Sequence, residues 1–130
     1  MFNLGDTIKK EKALNMNAIT LAFVGDAVYS LYSREKLAFS TDLKTSEMNK
    51  AVTSEVRASS QALFIDKLLP VLTEEELMVY KRGRNSKKPT KAKSATVREY
   101  NMSTGFEAVL GYLYVTGQIE RLNYLLNYRG

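Results

Sequence analysis

The chain contains no cysteine and no histidine. The first absence excludes disulfides and thiolate metal sites, and the second removes the usual imidazole general base and most zinc sites. Any catalysis must therefore lean on carboxylates, and carboxylates without histidine suit hard cations such as Mg2+ or Mn2+. No run approaches the roughly 18 apolar residues of a membrane span. Met1 to Ala13 hold Asp6, Glu11 and three lysines with no apolar block, so no secretory signal is expected. A soluble, cytoplasmic protein with no membrane partner is the expectation. Alternating strand patterns, internal repeats and low-complexity blocks are also missing, which leaves an all-α fold class.

What is present is enough for one domain with a real core: 130 residues, 45% of them hydrophobic. Residues 1–130 are read as that single domain. Its formal charge of +5 is unevenly spread. Between Lys81 and Arg98 stand eight basic residues and no acid, which leaves 11 basic against 14 acidic residues elsewhere. All the net positive charge therefore lies in one segment, as suits an anionic partner.

The pattern predicts about six or seven helices. After a polar lead-in to about Ala13, Asn15 or Asn17 caps a long helix from Ala18 to about Leu37. Thr41 and Asp42 offer caps for a second near Leu43 to Val52. Ser54 caps a third carrying Val56, Ala58, Ala62, Leu63, Ile65 and Leu68, which ends at Pro70. Thr73-Glu74-Glu75-Glu76 fits a capping box and opens a short helix with Leu77, Val79 and Tyr80. Arg82-Gly83-Arg84-Asn85-Ser86-Lys87-Lys88-Pro89 has no periodicity, so 81–95 reads as a basic loop. Thr96-Val97-Arg98-Glu99 is a second capping box, before a helix with Phe106, Val109, Leu110, Leu113 and Tyr114 that stops near Gly117. Gln118 to Tyr128 closes the chain as an amphipathic helix on Ile119, Leu122, Leu125 and Leu126.

Two acids stand out in apolar surroundings. Asp26 lies in a segment from Ala18 to Tyr32 that is apolar or small at nearly every position, so a helix there is expected to be mostly buried. A buried carboxylate without a partner costs several kcal/mol or takes up a proton, so Asp26 should be paired, bound to a cation or capping a helix. Glu107 is likewise alone in Ser103-Thr104-Gly105-Phe106-Glu107-Ala108-Val109-Leu110-Gly111. Ser103 and Gly111, four residues either side, share its face, as Ala22 and Ser30 share that of Asp26. Each acid thus has a strip of small residues around it, and two such helices can face each other across room for an ion and a phosphate. Plainer readings stand beside this one. Gly25-Asp26 also fits a helix start, Glu107 a solvated helix acid, and the basic segment a solvated loop. Phe23, Leu31, Phe106, Leu110 and Leu113 are expected in the core, and Tyr100 as a packed ring.

Val24-Gly25-Asp26-Ala27-Val28 resembles the catalytic helix motif of the ribonuclease III endonuclease domain, and Phe106-Glu107-Ala108-Val109-Leu110-Gly111 resembles its second acidic motif. The subtype most similar is Mini-III, the compact branch without a double-stranded-RNA-binding domain. Arg82-Gly83-Arg84-Asn85 ahead of a lysine-rich segment, and Tyr100 leading into Ser103-Thr104, also match that branch. The resemblance spans about Leu14 to Tyr128. Larger members place four carboxylates at the metal site, whereas here Ala22 and Thr104 stand where two of them would be.

The resemblance implies an endoribonuclease-like helical bundle that acts as a homodimer on double-stranded RNA. Asp26 and Glu107 would be the catalytic and metal-holding residues, for Mg2+ or Mn2+, with Thr104 ordering a water behind them. Mg2+ takes one or two carboxylates and keeps several waters, so two protein ligands suffice once RNA completes the site. Hydrolysis would leave 5′-phosphate and 3′-hydroxyl ends. Arg82, Arg84, Asn85, Lys87, Lys88, Lys91 and Lys93 would contact RNA phosphates. The implied natural task is maturation of the 23S ribosomal RNA precursor, with a ribosomal protein as a further candidate partner. Two alternatives use the same residues differently. One is a non-catalytic RNA-binding helical protein on ribosomal RNA. The other is a helix-turn-helix DNA binder from Thr45 to Leu68, where basic residues are sparse.

Overall fold

The computed structural model describes residues 5–40, 58–86 and 97–130, and every regular element among them is helical. In chain order these are α1 (Lys10–Leu14), α2 (Ala18–Ser40), α3 (Ala58–Leu68), a 3-10 turn (Leu69–Val71), α4 (Glu74–Asn85), α5 (Val97–Val115) and α6 (Ile119–Leu126). The predicted second helix, the Ser54 cap and the Thr96 cap lie outside the described residues.

Local chemistry sets most of the described ends. Asn17 accepts the Ile19 N–H at 2.7 Å and caps α2. At α4 the predicted capping box is complete, with the Thr73 hydroxyl accepting the Glu76 N–H and the Glu76 carboxylate accepting the Thr73 N–H. Gly117 ends α5 at φ +74°, where glycine avoids the Cβ penalty. Its N–H donates to the Tyr114 carbonyl and that of Gln118 to Leu113, the paired bonds of a Schellman motif.

The central helix is α5, which packs against α2, α3, α4 and α6. Its residues from Thr104 to Phe106 and from Ala108 to Leu113 are all buried, because neighbours enclose it on several sides. Its own Leu110 and Leu113 are fully buried, as are Leu21, Ile65, Leu68, Leu122, Leu125 and Leu126 around it. Each such side chain contributes about 1.5–3 kcal/mol relative to exposure. Phe106 anchors an aromatic cluster, edge-on to both Tyr29 and Phe64.

Three expectations are corrected. Phe23 and Leu31 are not core residues, at 80% and 44% exposed, because α2 lays only one side against α5 and leaves the other in solvent. The polar lead-in contains a five-residue helix, α1, and is tied to α5 by the Ile8 N–H donating to the Val115 carbonyl. Residues 81–85 are the end of α4 rather than part of a loop. Gly83 sits there against α5, and a Cβ on it would lie 2.9 Å from the Gly105 Cα. That tertiary contact outweighs the poor helix propensity of glycine.

Candidate active site at the α2–α5 crossing

The crossing of α2 and α5 is a backbone contact. A Cβ added to Gly25 would stand 1.7 Å from the Glu107 carbonyl oxygen, and one added to Gly111 would stand 1.9 Å from that of Leu21. Only glycine at both positions permits this approach. Gly111 therefore serves helix packing rather than clearing room for a ligand beside Glu107. The residue after Gly25 is Asp26, so the crossing delivers its side chain to the edge of the contact, beside the Glu107 side chain.

The two carboxyl groups come within hydrogen-bonding reach of each other there. Asp26 is exposed and Glu107 half-buried, so the pair opens to solvent on the α2 side. Burial pushes the Glu107 carboxyl up to about 9, and the Asp26 charge and the shared hydrogen bond push in the same direction. At neutral pH Glu107 holds a proton against Asp26. Among the described residues no third acid joins them to make a larger metal-ligand cluster. Two adjacent carboxylates form an oxygen donor set that fits a hard divalent ion.

The flanking small residues are occupied by the protein itself. Ser103 donates to the Gln61 side chain, and Ser30 accepts from Arg34 at 3.2 Å. Ala22 is buried. Thr104 is also buried, and its hydroxyl donates to the Tyr100 carbonyl at 3.0 Å within α5.

The sequence-predicted basic contacts divide. Arg82 turns inward, where its guanidinium donates to the carbonyls of Leu14 and Met16 and satisfies the C-terminal end of α1. Arg84 lies over the Tyr80 ring at 5.8 Å and donates to the Asn85 side chain at 3.1 Å. Arg84, Asn85, Arg98 and Asn101 line a surface cavity of about 430 Å³ with Tyr80 and Met102. Arg98 reaches Asp66 at 3.7 Å. Lys87, Lys88, Lys91 and Lys93 lie outside the described residues.

Sequence reasoning missed the Glu76–Arg121 pair. Arg121 grips both Glu76 carboxylate oxygens at 2.8 Å and the Val71 carbonyl at 2.7 Å. It thereby fastens α6 to the start of α4. Its signal was present, since the box had already placed Glu76 at N3, but the partner stands 45 residues away.

The model of the Ribonuclease III domain matches residues 19–118, which include both acids. The chain is 49% identical to the Mini-ribonuclease 3 of Streptococcus pneumoniae over 87% of its length and 90% of that protein. It is 40% identical to the Mini-ribonuclease 3 of Clostridium tetani over 95% of its length and 82% of that protein. A crystal structure of a Fusobacterium nucleatum protein superposes with a TM-score of 0.81 at 31% identity, covering 92% of this chain and 94% of that one. With the fold, the paired acids and these relatives agreeing, the chain belongs to the ribonuclease III family and to its Mini-ribonuclease 3 branch.

Proposed function

We propose that Asp26 and Glu107 are the metal-holding catalytic residues of this endoribonuclease, and that its substrate is double-stranded RNA, cut to 5′-phosphate and 3′-hydroxyl ends. The observation that carries this reading is the contact itself: packing brings two acids together at a solvent-open helix crossing. Mg2+, or Mn2+ in its place, suits two carboxylate donors plus substrate oxygens. When bound, such an ion supplies Lewis-acid charge at the phosphate and activates water.

The residues of this chain have separable tasks. Asp26, exposed at the rim, would hold the ion from the solvent side. Glu107 would have to give up its proton to serve as a ligand, so binding of an ion there would be accompanied by proton release. Thr104 is assigned the supporting role, holding α5 through its bond to Tyr100 one turn before Glu107. Arg84, Asn85, Lys87, Lys88, Lys91 and Lys93 are assigned to phosphates of the duplex, whose A-form is read largely through shape and backbone. Arg82, expected among those contacts, has its guanidinium on the carbonyls of Leu14 and Met16 and so serves them only by bracing the end of α4 against α1.

One site cuts one strand, and the uncovered side of α2 supports a homodimer. Phe23, Ala27 and Leu31 recur every four residues and are all exposed, an apolar stripe that a second copy can cover symmetrically. Kinship with Mini-ribonuclease 3 supports the 23S ribosomal RNA precursor as the natural duplex, a ribosomal protein as an assisting partner and a cytoplasmic location. No helix among the described residues is long and apolar enough to cross a membrane.

The test is incubation with a long RNA duplex, with and without Mg2+, followed by analysis of the ends. Metal-dependent cuts with 5′-phosphates are expected. Binding without cutting would reduce the chain to an RNA-binding protein. Replacing Lys87, Lys88 and Lys91 together with alanine should weaken duplex binding and flatten its salt dependence by about one unit of log–log slope per lysine. An unchanged slope would place the duplex elsewhere.

A further inference from the structure

We infer that Gly25 and Gly111 are positioning residues for the metal pair: the backbone contact they allow sets the gap between the Asp26 and Glu107 carboxylates, and so the size of cation the pair accepts. This rests on the reading of those acids as the metal centre.

The argument begins with the contact distances. The positions a Cβ would take at Gly25 and Gly111 stand 1.7 and 1.9 Å from carbonyl oxygens of the opposite helix. The second nearest atoms are also backbone, at 2.6 and 2.8 Å, so no flexible side chain can yield. Optimal non-bonded separations are about 3.5–4.0 Å, so a methyl group at either position drives the helices apart by roughly 1 Å or more. The oxygen opposite Gly25 belongs to Glu107 itself, and the residue after Gly25 is Asp26. The contact therefore lies within one residue of both acids. The α4–α5 contact at Gly83 is also tight, but it lies on another side of α5 and touches neither acid.

Ion size responds to displacements of this magnitude. Mg2+ binds oxygen at about 2.0–2.1 Å and demands near-octahedral geometry, while Ca2+ binds at about 2.3–2.6 Å with loose geometry. Across two bonds the difference amounts to about 0.4–1.2 Å, comparable to the separation a single methyl imposes. Asp26 has a short side chain and Glu107 is half-buried, which limits how far either can reach to restore the original gap. With the glycines in place the pair is set close, for the smaller ion.

The experiment uses the full chain and the metal ions alone. Binding of Mn2+ is followed through the electron paramagnetic resonance signal of the unbound ion, and displacement by Mg2+ and by Ca2+ gives the ratio of their affinities. Thermal melts monitor the fold. In Gly111→Ala the ratio is expected to move toward Ca2+ by roughly tenfold, as changes behind metal ligands typically do. Gly83→Ala should lower the melting temperature and leave the ratio alone, which separates positioning from plain packing. Glu107→Asp shortens one arm and leaves the crossing intact, and it should move the ratio in the same direction. A folded Gly111→Ala protein with the wild-type ratio would overturn the inference. If Gly111→Ala does not fold, Glu107→Asp decides, since an unchanged ratio there shows that the gap does not select the ion. Wild-type protein that binds none of the three ions would sink the metal-centre reading itself.

Discussion

Glu76 and Glu107 both lie on helices that pack against one core, and the protein holds their carboxyl groups in opposite states. Burial pushes both upward. At Glu76 the Arg121 guanidinium and the Thr73 amide outweigh it and hold the group below the usual carboxylate range. At Glu107 the neighbour is Asp26, so charge and burial act together and the group rises to about 9. The first acid has its cation built into the fold. Among the described residues the second has only another acid beside it, an arrangement left open to a cation from solution. What separates the two carboxylates is the sign of the nearest neighbour, rather than burial.

The contrast can be broken at either end. Asp26→Asn should have the largest effect, lowering the rate of RNA cutting by about a thousandfold or more while melting temperature and duplex binding stay near wild type. Single-turnover cleavage measures the rate, and full activity in that variant would remove Asp26 from the site. Arg121→Met leaves Glu76 without its cation. Because Arg121 is partly exposed, the loss is about 2 kcal/mol rather than the larger penalty of a fully buried pair. Urea denaturation should show that loss with cutting by the folded fraction unchanged, and an unaltered midpoint would mean the pair is ornamental.

A third test is the pH dependence of the ion-free protein. Folded Glu107 keeps its proton to about pH 9, whereas an unfolded chain loses it near the ordinary value of 4.5. The folded state then binds more protons across that window, so this group's contribution to stability falls as pH rises from about 4.5 to 9. Glu76 behaves oppositely, contributing stability above its ordinary value of 4.5 that is lost as pH falls through its lowered folded value. Melts in chelator at pH 5 and pH 8 should show the decline in wild type and a flatter profile in Glu107→Gln. Equal slopes in the two proteins would assign the proton to another group.

Features governed by neighbours within a turn or two were legible in the sequence. The Thr73 box and the Gly117 stop are such cases, since donor, acceptor and backbone conformation all lie within a few residues. The pairing of Asp26 with Glu107 was legible for another reason: a lone acid in an apolar helix has few uses, and the chain carries two in similar settings. What was not legible depends on partners far away in sequence. Phe23 looks like a core residue until the side of α2 that meets α5 is known. Arg82 to Asn85 look like loop until Gly83 is seen against Gly105. Gly111 looked like clearance around an acid, and it is the contact that brings the acid into place.

Gly25 meets backbone atoms of Glu107, so the contact that sets the helix crossing is the same whichever side chain residue 107 carries. Chemistry and architecture are written in different atoms of one residue. On the proposed reading, an amide substituted there would remove a metal-holding group and leave the helix crossing standing, so a duplex-holding decoy would lie a single substitution away.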